Sequence, residues 1–175
     1  NPWQDPYWYR TEVVLPKSYK GKKVWLTLNG INYRADVWVN GRQVADKKDI
    51  VGMFRRFKLD ITGYARAGAN NCIAIKIYQV DHPGVPTPGT QLKVFGPVRG
   101  HSYDIFKDET LKISGGWDCA PVVRDRNMGI YQKVRVEATD EVLIENPFVI
   151  TTLPKSTTRP MKVDTGLAKV NIKLE

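Results

Sequence analysis

Short runs in which every second residue is apolar, each closed by turn-forming residues, recur along residues 24–77. Val24, Leu26 and Leu28 alternate with Trp25 and Thr27 and stop at Asn29-Gly30; Ala35, Val37 and Val39 alternate with Asp36 and Trp38 and stop at Asn40-Gly41. A period of two puts one set of side chains on one face of a strand, and helical periodicity is nearly absent. Asn and Gly both tolerate positive φ, so Asn40-Gly41 predicts a type I′ hairpin joining residues 34–39 to 42–45. Phe54, Phe57 and Leu59 predict a further strand. Ile73, Ile75 and Ile77 predict another, after the turn Gly68-Ala69-Asn70-Asn71. Many short strands with long crossovers predict an all-β chain, a jelly-roll β-sandwich.

Beyond residue 82 the pattern breaks. Pro83, Pro86, Pro88 and Pro97 stand among glycines, and such a stretch cannot be an interior strand. It predicts a long loop or insertion reaching about Gly116, and long loops in compact domains are often functional. Ile130, Val134 and Val136 return to strand chemistry and should close a first domain at 1–139. A new alternation at Val142, Ile144, Phe148, Val149 and Ile150, then Leu167, Val170, Ile172 and Leu174, predicts a second β-unit over 140–175. Two or three strands cannot cover both faces of a sandwich, so this unit is expected to be incomplete and the natural chain to continue.

Charge and chemistry narrow the function. The chain of 175 residues has 27 Lys and Arg against 18 Asp and Glu, a formal charge of +9. The basic residues are scattered and interleaved with Asp36, Asp46, Asp49 and Asp60. They read as a solvated surface, with no nucleic-acid signature. No apolar run is long enough to span a bilayer, so no membrane partner is expected. Cys72 reads as a small buried thiol in an apolar alternating segment, and Cys119 lies beside Asp118; neither has zinc-site spacing. His82 and His101 flank the proline-rich stretch with no carboxylate or cysteine at ligand spacing, so neither a metal nor a cofactor is expected. Asp104, Asp108 and Glu109 could be taken for a catalytic carboxylate pair. Their setting, Phe106-Lys107-Asp108-Glu109-Thr110, reads more simply as a solvated turn, and no catalytic residue is assigned.

The segment richest in binding chemistry is Gly115-Gly116-Trp117-Asp118, continued by Arg124-Asp125-Arg126-Asn127-Met128-Gly129-Ile130-Tyr131. An indole ring can stack on the C–H face of a pyranose while a carboxylate accepts hydrogen bonds from two hydroxyls. Asp118 either contacts a sugar, the preferred reading, or caps a turn through its side chain. Trp117 is equally a sugar platform or a packing plug. Asp125 and Arg126 can touch a ligand, though an ion pair holding the loop is the simpler role, and Asn127 more simply bonds backbone in a tight turn. Trp38 and Tyr7-Trp8-Tyr9 alternate with apolar strand positions and read as core or inter-domain packing.

Three stretches together resemble the N-terminal sugar-binding domain of glycoside hydrolase family 2, most nearly its exo-β-glucosaminidase and β-mannosidase branch. They are Tyr7-Trp8-Tyr9-Arg10, the run from Leu28 to Gly41 with Val51-Gly52-Met53-Phe54 and Phe57 to Thr62 after it, and the Gly-Gly-Trp-Asp loop with its Arg-Asn-Met-Gly-Ile-Tyr continuation. The resemblance implies a galactose-binding-like jelly roll over 1–139, then the start of an immunoglobulin-like β-sandwich over 140–175. A (β/α)₈ barrel with both catalytic glutamates would lie beyond this chain. Retaining hydrolysis needs two carboxyls about 5 Å apart, and the resemblance places neither here. It implies a β-glycoside substrate and partnership with C-terminal domains of the same chain. It also implies that Asp118 hydrogen-bonds the non-reducing-end sugar, and, through polysaccharide-degrading relatives, an extracytoplasmic setting. Where such relatives have Trp-Asp-Trp, this chain has Trp117-Asp118-Cys119, which puts stacking from the second side in doubt. Tyr131 replaces a Trp, a milder change. The competing reading is a stand-alone carbohydrate-binding module.

Overall fold

The computed structural model describes residues 5–82, 107–111, 127–145, 147–152 and 169–173. The chain divides into two compact units, Asn1–Thr139 and Asp140–Glu175. In the first, β1 (Tyr7–Val14), β7 (Asn70–Tyr78), β4 (Arg34–Val39) and β5 (Arg42–Val51) form one antiparallel sheet, in the order β1-β7-β4-β5. A second sheet, β6-β2-β9, joins β6 (Phe57–Asp60), β2 (Lys23–Leu28) and β9 (Val134–Thr139). Two very short strands, β3 (Ile31–Asn32) and β8 (Gly129–Ile130), pair separately. A 3₁₀ turn spans Lys17–Tyr19, and no α-helix occurs among the described residues.

The alternating positions supply the core. Val24, Leu26 and Leu28 of β2 meet Ala35, Val37 and Val39 of β4 and Ile73, Ile75 and Ile77 of β7 in one apolar cluster. Leu26, Leu28, Val37, Val39 and Ile77 are completely buried. Each such aliphatic side chain contributes on the order of 1.5–3 kcal/mol relative to an exposed one, and this burial holds the two sheets face to face. The predicted hairpin forms: Asn40 and Gly41 have φ of 52° and 81°, and Val39 pairs with Arg42. β5 runs on past the predicted end, to Val51, through irregularities in its register with β4.

Several expectations fail in instructive ways. Phe54 is not in a strand; it is an exposed turn residue, and β6 begins at Phe57. Cys72 is not buried, because Asn71, Ile73, Ile75 and Ile77 take the inward positions of β7 and residue 72 falls out of phase. Of the two roles read for Trp8 and Trp38, core or inter-domain packing, the first is ruled out, whereas Tyr7 packs against the core. Trp38 alternates with buried Val37 and Val39 and so faces outward, and Trp8 is 58% exposed. Their rings pair at 5.1 Å on the outer face. Asp108 is not part of a solvated turn: it is 4% exposed.

In the second unit, β10 (Phe148–Thr152) and β11 (Lys169–Lys173) pair antiparallel. Val142 and Ile144 belong to no strand. No helix among the described residues is long and apolar enough to cross a membrane.

Candidate functional site

Trp117, Asp118, Asp125 and Arg126 lie outside the described residues; Asn127 lies within them. What the structure shows is how the segment 112–126 that carries them is held at its two ends. The strand pair β3–β8 is the starting point. Asn32 pairs with Gly129 and Ile31 with Ile130, so the chain re-enters the sandwich directly beside the start of β4. The Tyr131 amide then donates to the Gly30 carbonyl at 3.2 Å.

Asn32 is fully buried in this corner. Its amide nitrogen donates to the Asn127 carbonyl at 3.0 Å, and its carbonyl oxygen accepts from the Thr110 hydroxyl at 2.9 Å. Thr110 is itself 2% exposed. One carboxamide carries a donor and an acceptor, so a single side chain can satisfy a group on each flank of the segment. Met53 makes a second tie through its backbone. Its amide donates to the Glu109 carbonyl at 2.8 Å, and its carbonyl accepts from the Tyr131 hydroxyl at 2.5 Å. Both ties join a residue just before the segment to one just after it. Asn127 has φ of 52°, in keeping with a tight turn as the chain re-enters.

A parallel device sits at the other long segment, 83–106. The Asp108 carboxylate accepts from the His82 backbone amide at 2.7 Å, and its other oxygen lies 2.7 Å from His82 Nδ1. Sequence spacing gave His82 no carboxylate partner, because the two residues stand far apart along the chain and meet only through the fold. Just before His82, Arg34 makes a two-pronged pair with Asp81 and also donates to the Lys47 carbonyl. Hydrogen bonding to Asp81 holds the Arg34 guanidinium above its usual range, opposed by partial burial. Burial likewise raises the Tyr33 phenol. The feet of both long segments, at 82 and 107–111 and at 127–131, are therefore gathered at one end of the sandwich.

Outside this corner, the exposed face of the four-stranded sheet carries the Trp8–Trp38 pair, with Lys76 over both Trp8 and Tyr78. The Tyr78 hydroxyl donates to Asp36 at 2.6 Å. Burial, reinforced by that bond, pushes the Tyr78 phenol up to about 12. Among the described residues no three His, Cys, Asp or Glu side chains converge as metal ligands would.

Residues 2–132 match the family model described as glycosyl hydrolase 2 galactose-binding domain-like. The chain is 33% identical over 135 residues to a mannosylglycoprotein endo-β-mannosidase of Lilium longiflorum, covering 77% of this chain and 13% of that one. It is 30% identical over 146 residues to an exo-β-D-glucosaminidase of Amycolatopsis orientalis, covering 83% and 11%. Among solved structures it is similar to the Amycolatopsis orientalis exo-chitosanase CsxA, with a TM-score of 0.61 and 30% identity over 87% of this chain and 14% of that one. A β-D-glucuronidase from Dictyoglomus thermophilum, 18% identical with a TM-score of 0.60, shares the fold. The chain thus spans only a small part of the length of these relatives. With a two-sheet antiparallel sandwich and a family match across most of its length, this chain belongs to the glycosyl hydrolase 2 galactose-binding domain-like family.

Proposed function

We propose that this chain is the non-catalytic N-terminal portion of a family 2 exo-β-glycosidase, and that its segment 112–126 completes the subsite for the terminal sugar. Residues 140–175 are then the first strands of an immunoglobulin-like domain, with the catalytic barrel and its glutamates further along the parent chain. Asp118 accepts hydrogen bonds from two hydroxyls of the non-reducing-end sugar, and Trp117 lies against its C–H face. Asp125, Arg126 and Asn127 shape the loop around them. Their work is orientation. A sugar held in register against the glutamates reacts as a near-unimolecular complex, and contacts that tighten in the transition state raise kcat. The parent enzyme works outside the cytoplasm, where polymeric β-glycosides are met.

The observation that carries this reading is the double tie at the segment's feet, Asn32 to Thr110 and Asn127 and Met53 to Glu109 and Tyr131. A loop meant only to cover surface needs no buried carboxamide joining its two ends, whereas a loop that must place a carboxylate to within a fraction of an ångström does. A second reading, an independent carbohydrate-binding module, draws on the outward Trp8–Trp38 pair, an exposed aromatic surface of the kind that marks interaction sites. Calorimetric titration separates the two. The subsite reading expects residues 1–175 to bind no monosaccharide or short β-linked oligosaccharide measurably, while the parent chain binds one of them. Micromolar affinity in residues 1–175 alone would establish the module.

A further inference from the structure

We infer that the outer face of the four-stranded sheet is a binding surface for an acidic polysaccharide: a uronate residue lies on Trp8, and its carboxylate faces Lys47 and Lys76. Strand alternation builds the platform. Tyr7 of β1 and Ile73, Ile75 and Ile77 of β7 pack inward, so Trp8, Ala74 and Lys76 point outward, as Trp38 does on β4. Trp8 stands opposite Lys76, and Ala74 stands opposite Trp38. The two tryptophans belong to strands on either side of β7, and the small Ala74 between them lets their rings meet at 5.1 Å. Trp38 thus steadies Trp8, which is still 58% exposed. An open indole already held in place can take the C–H face of a pyranose at little cost in side-chain entropy.

The charges beside the platform select the sugar. The Lys76 ammonium lies 5.5 Å from the centre of the Trp8 ring and 5.1 Å from that of Tyr78, and the Lys47 ammonium lies 4.9 Å from the Tyr78 ring. Among the described residues no carboxylate stands within ion-pair distance of either ammonium. The acids nearby are already engaged. Asp36, in register with Lys76, accepts from the Tyr78 hydroxyl at 2.6 Å and from the Lys47 amide at 2.8 Å. Glu12 pairs with Arg10, and Asp81 with Arg34. Two like charges gathered around one ring attract an anion. A uronate carries its carboxylate in the mean plane of the sugar ring, so a pyranose stacked on Trp8 aims it sideways at an ammonium beside that indole. A sulfate, on its longer ester arm, fits an ammonium so near the platform less well.

A shallow site of this kind holds one sugar residue with on the order of millimolar affinity, too weak to register with short oligosaccharides. It shows on a polymer, whose many residues compete to occupy it. Affinity electrophoresis of the parent chain in gels containing soluble β-linked polyglucuronate reads it directly. The expected result is clear retardation there, about tenfold weaker association with neutral hydroxyethyl cellulose, and cellulose sulfate in between. Trp8→Ala and the pair Lys47→Gln with Lys76→Gln should each weaken association with polyglucuronate about tenfold. Lys20→Gln with Lys133→Gln makes the same charge change elsewhere on the surface and should alter it less than about twofold. Neither lysine of the first pair is in the core, so that pair tests the face even where Trp8→Ala disturbs folding. Equal losses from the two lysine pairs would reduce the effect to net charge and overturn the inference, as would full retention by a folded Trp8→Ala protein. Stronger retardation in cellulose sulfate, or equal retardation in the neutral polymer or in poly-L-glutamate, would assign the face to a sulfated chain, an uncharged glycan or an acidic protein, and each overturns it as well.

Discussion

Replacing Asp118 with alanine in the parent enzyme is expected to lower kcat/KM by about 30- to 1,000-fold on its best substrate. If Asp118 accepts from two sugar hydroxyls, as proposed above, its removal costs about 2–4 kcal/mol of transition-state stabilisation. Hydrogen bonds to an ionised acceptor are stronger than neutral ones. Asp118→Asn should recover part of the loss, since an amide retains one acceptor but offers a donor where a second acceptor is needed. The variant's folding is checked by its melting temperature beside that of the unaltered enzyme. Unchanged kcat/KM in Asp118→Ala would show that the carboxylate has no part in the sugar site.

The largest expected effect on stability comes from Gly129→Val. Gly129 has φ of 140°, a conformation that L side chains rarely adopt, and a Cβ there would lie 2.6 Å from the Tyr9 hydroxyl. Either Tyr9 moves away from the start of β1, or β8 shifts and loosens its pairing with Ile31 and Asn32. Backbone strain of about 1–3 kcal/mol adds to an overpacking cost of similar size, so unfolding free energy should fall by about 2–6 kcal/mol. Urea denaturation of residues 1–175 gives the number. Adding Tyr9→Phe should recover the collision part and leave the backbone part. A Gly129→Val protein of wild-type stability would mean that the β3–β8 corner is not the tight junction described here.

The sheets were legible in the chain because burial in a sandwich has the same period as the strand. The inward positions of β2, β4 and β7 are the alternating apolar residues, and the Asn40-Gly41 turn declared itself through the φ values its two residues tolerate. The same rule, applied strictly, would have put Trp38 and Cys72 outside, since both are out of phase with their buried neighbours. Thiol character misled at Cys72 where phase did not, and phase removes the core alternative for Trp38. Phe54 misled in the same way, as an apolar residue in a turn. The ties at the loop feet were not legible. His82 with Asp108, and Asn32 with Thr110 and Asn127, join residues from 26 to 95 positions apart, and nothing local marks them. Alternation puts Asn32 on the face opposite Ile31, so its burial, at 0% exposure, is a finding of the fold. A buried polar residue must find partners, and here its partners are the two ends of the segment that the sequence itself singled out.

Hydrolysis of a panel of aryl β-glycosides by the parent chain, extended through its C-terminal domains, tests the central claim most directly. The panel takes in glucosaminide, mannoside, galactoside, glucuronide and glucoside. The account predicts cleavage of one of them well above the rest, with glucosaminide or mannoside leading, and that sugar is the one Asp118 should touch. A folded parent chain that cleaves none of the five, while residues 1–175 alone bind a β-linked oligosaccharide, would contradict it.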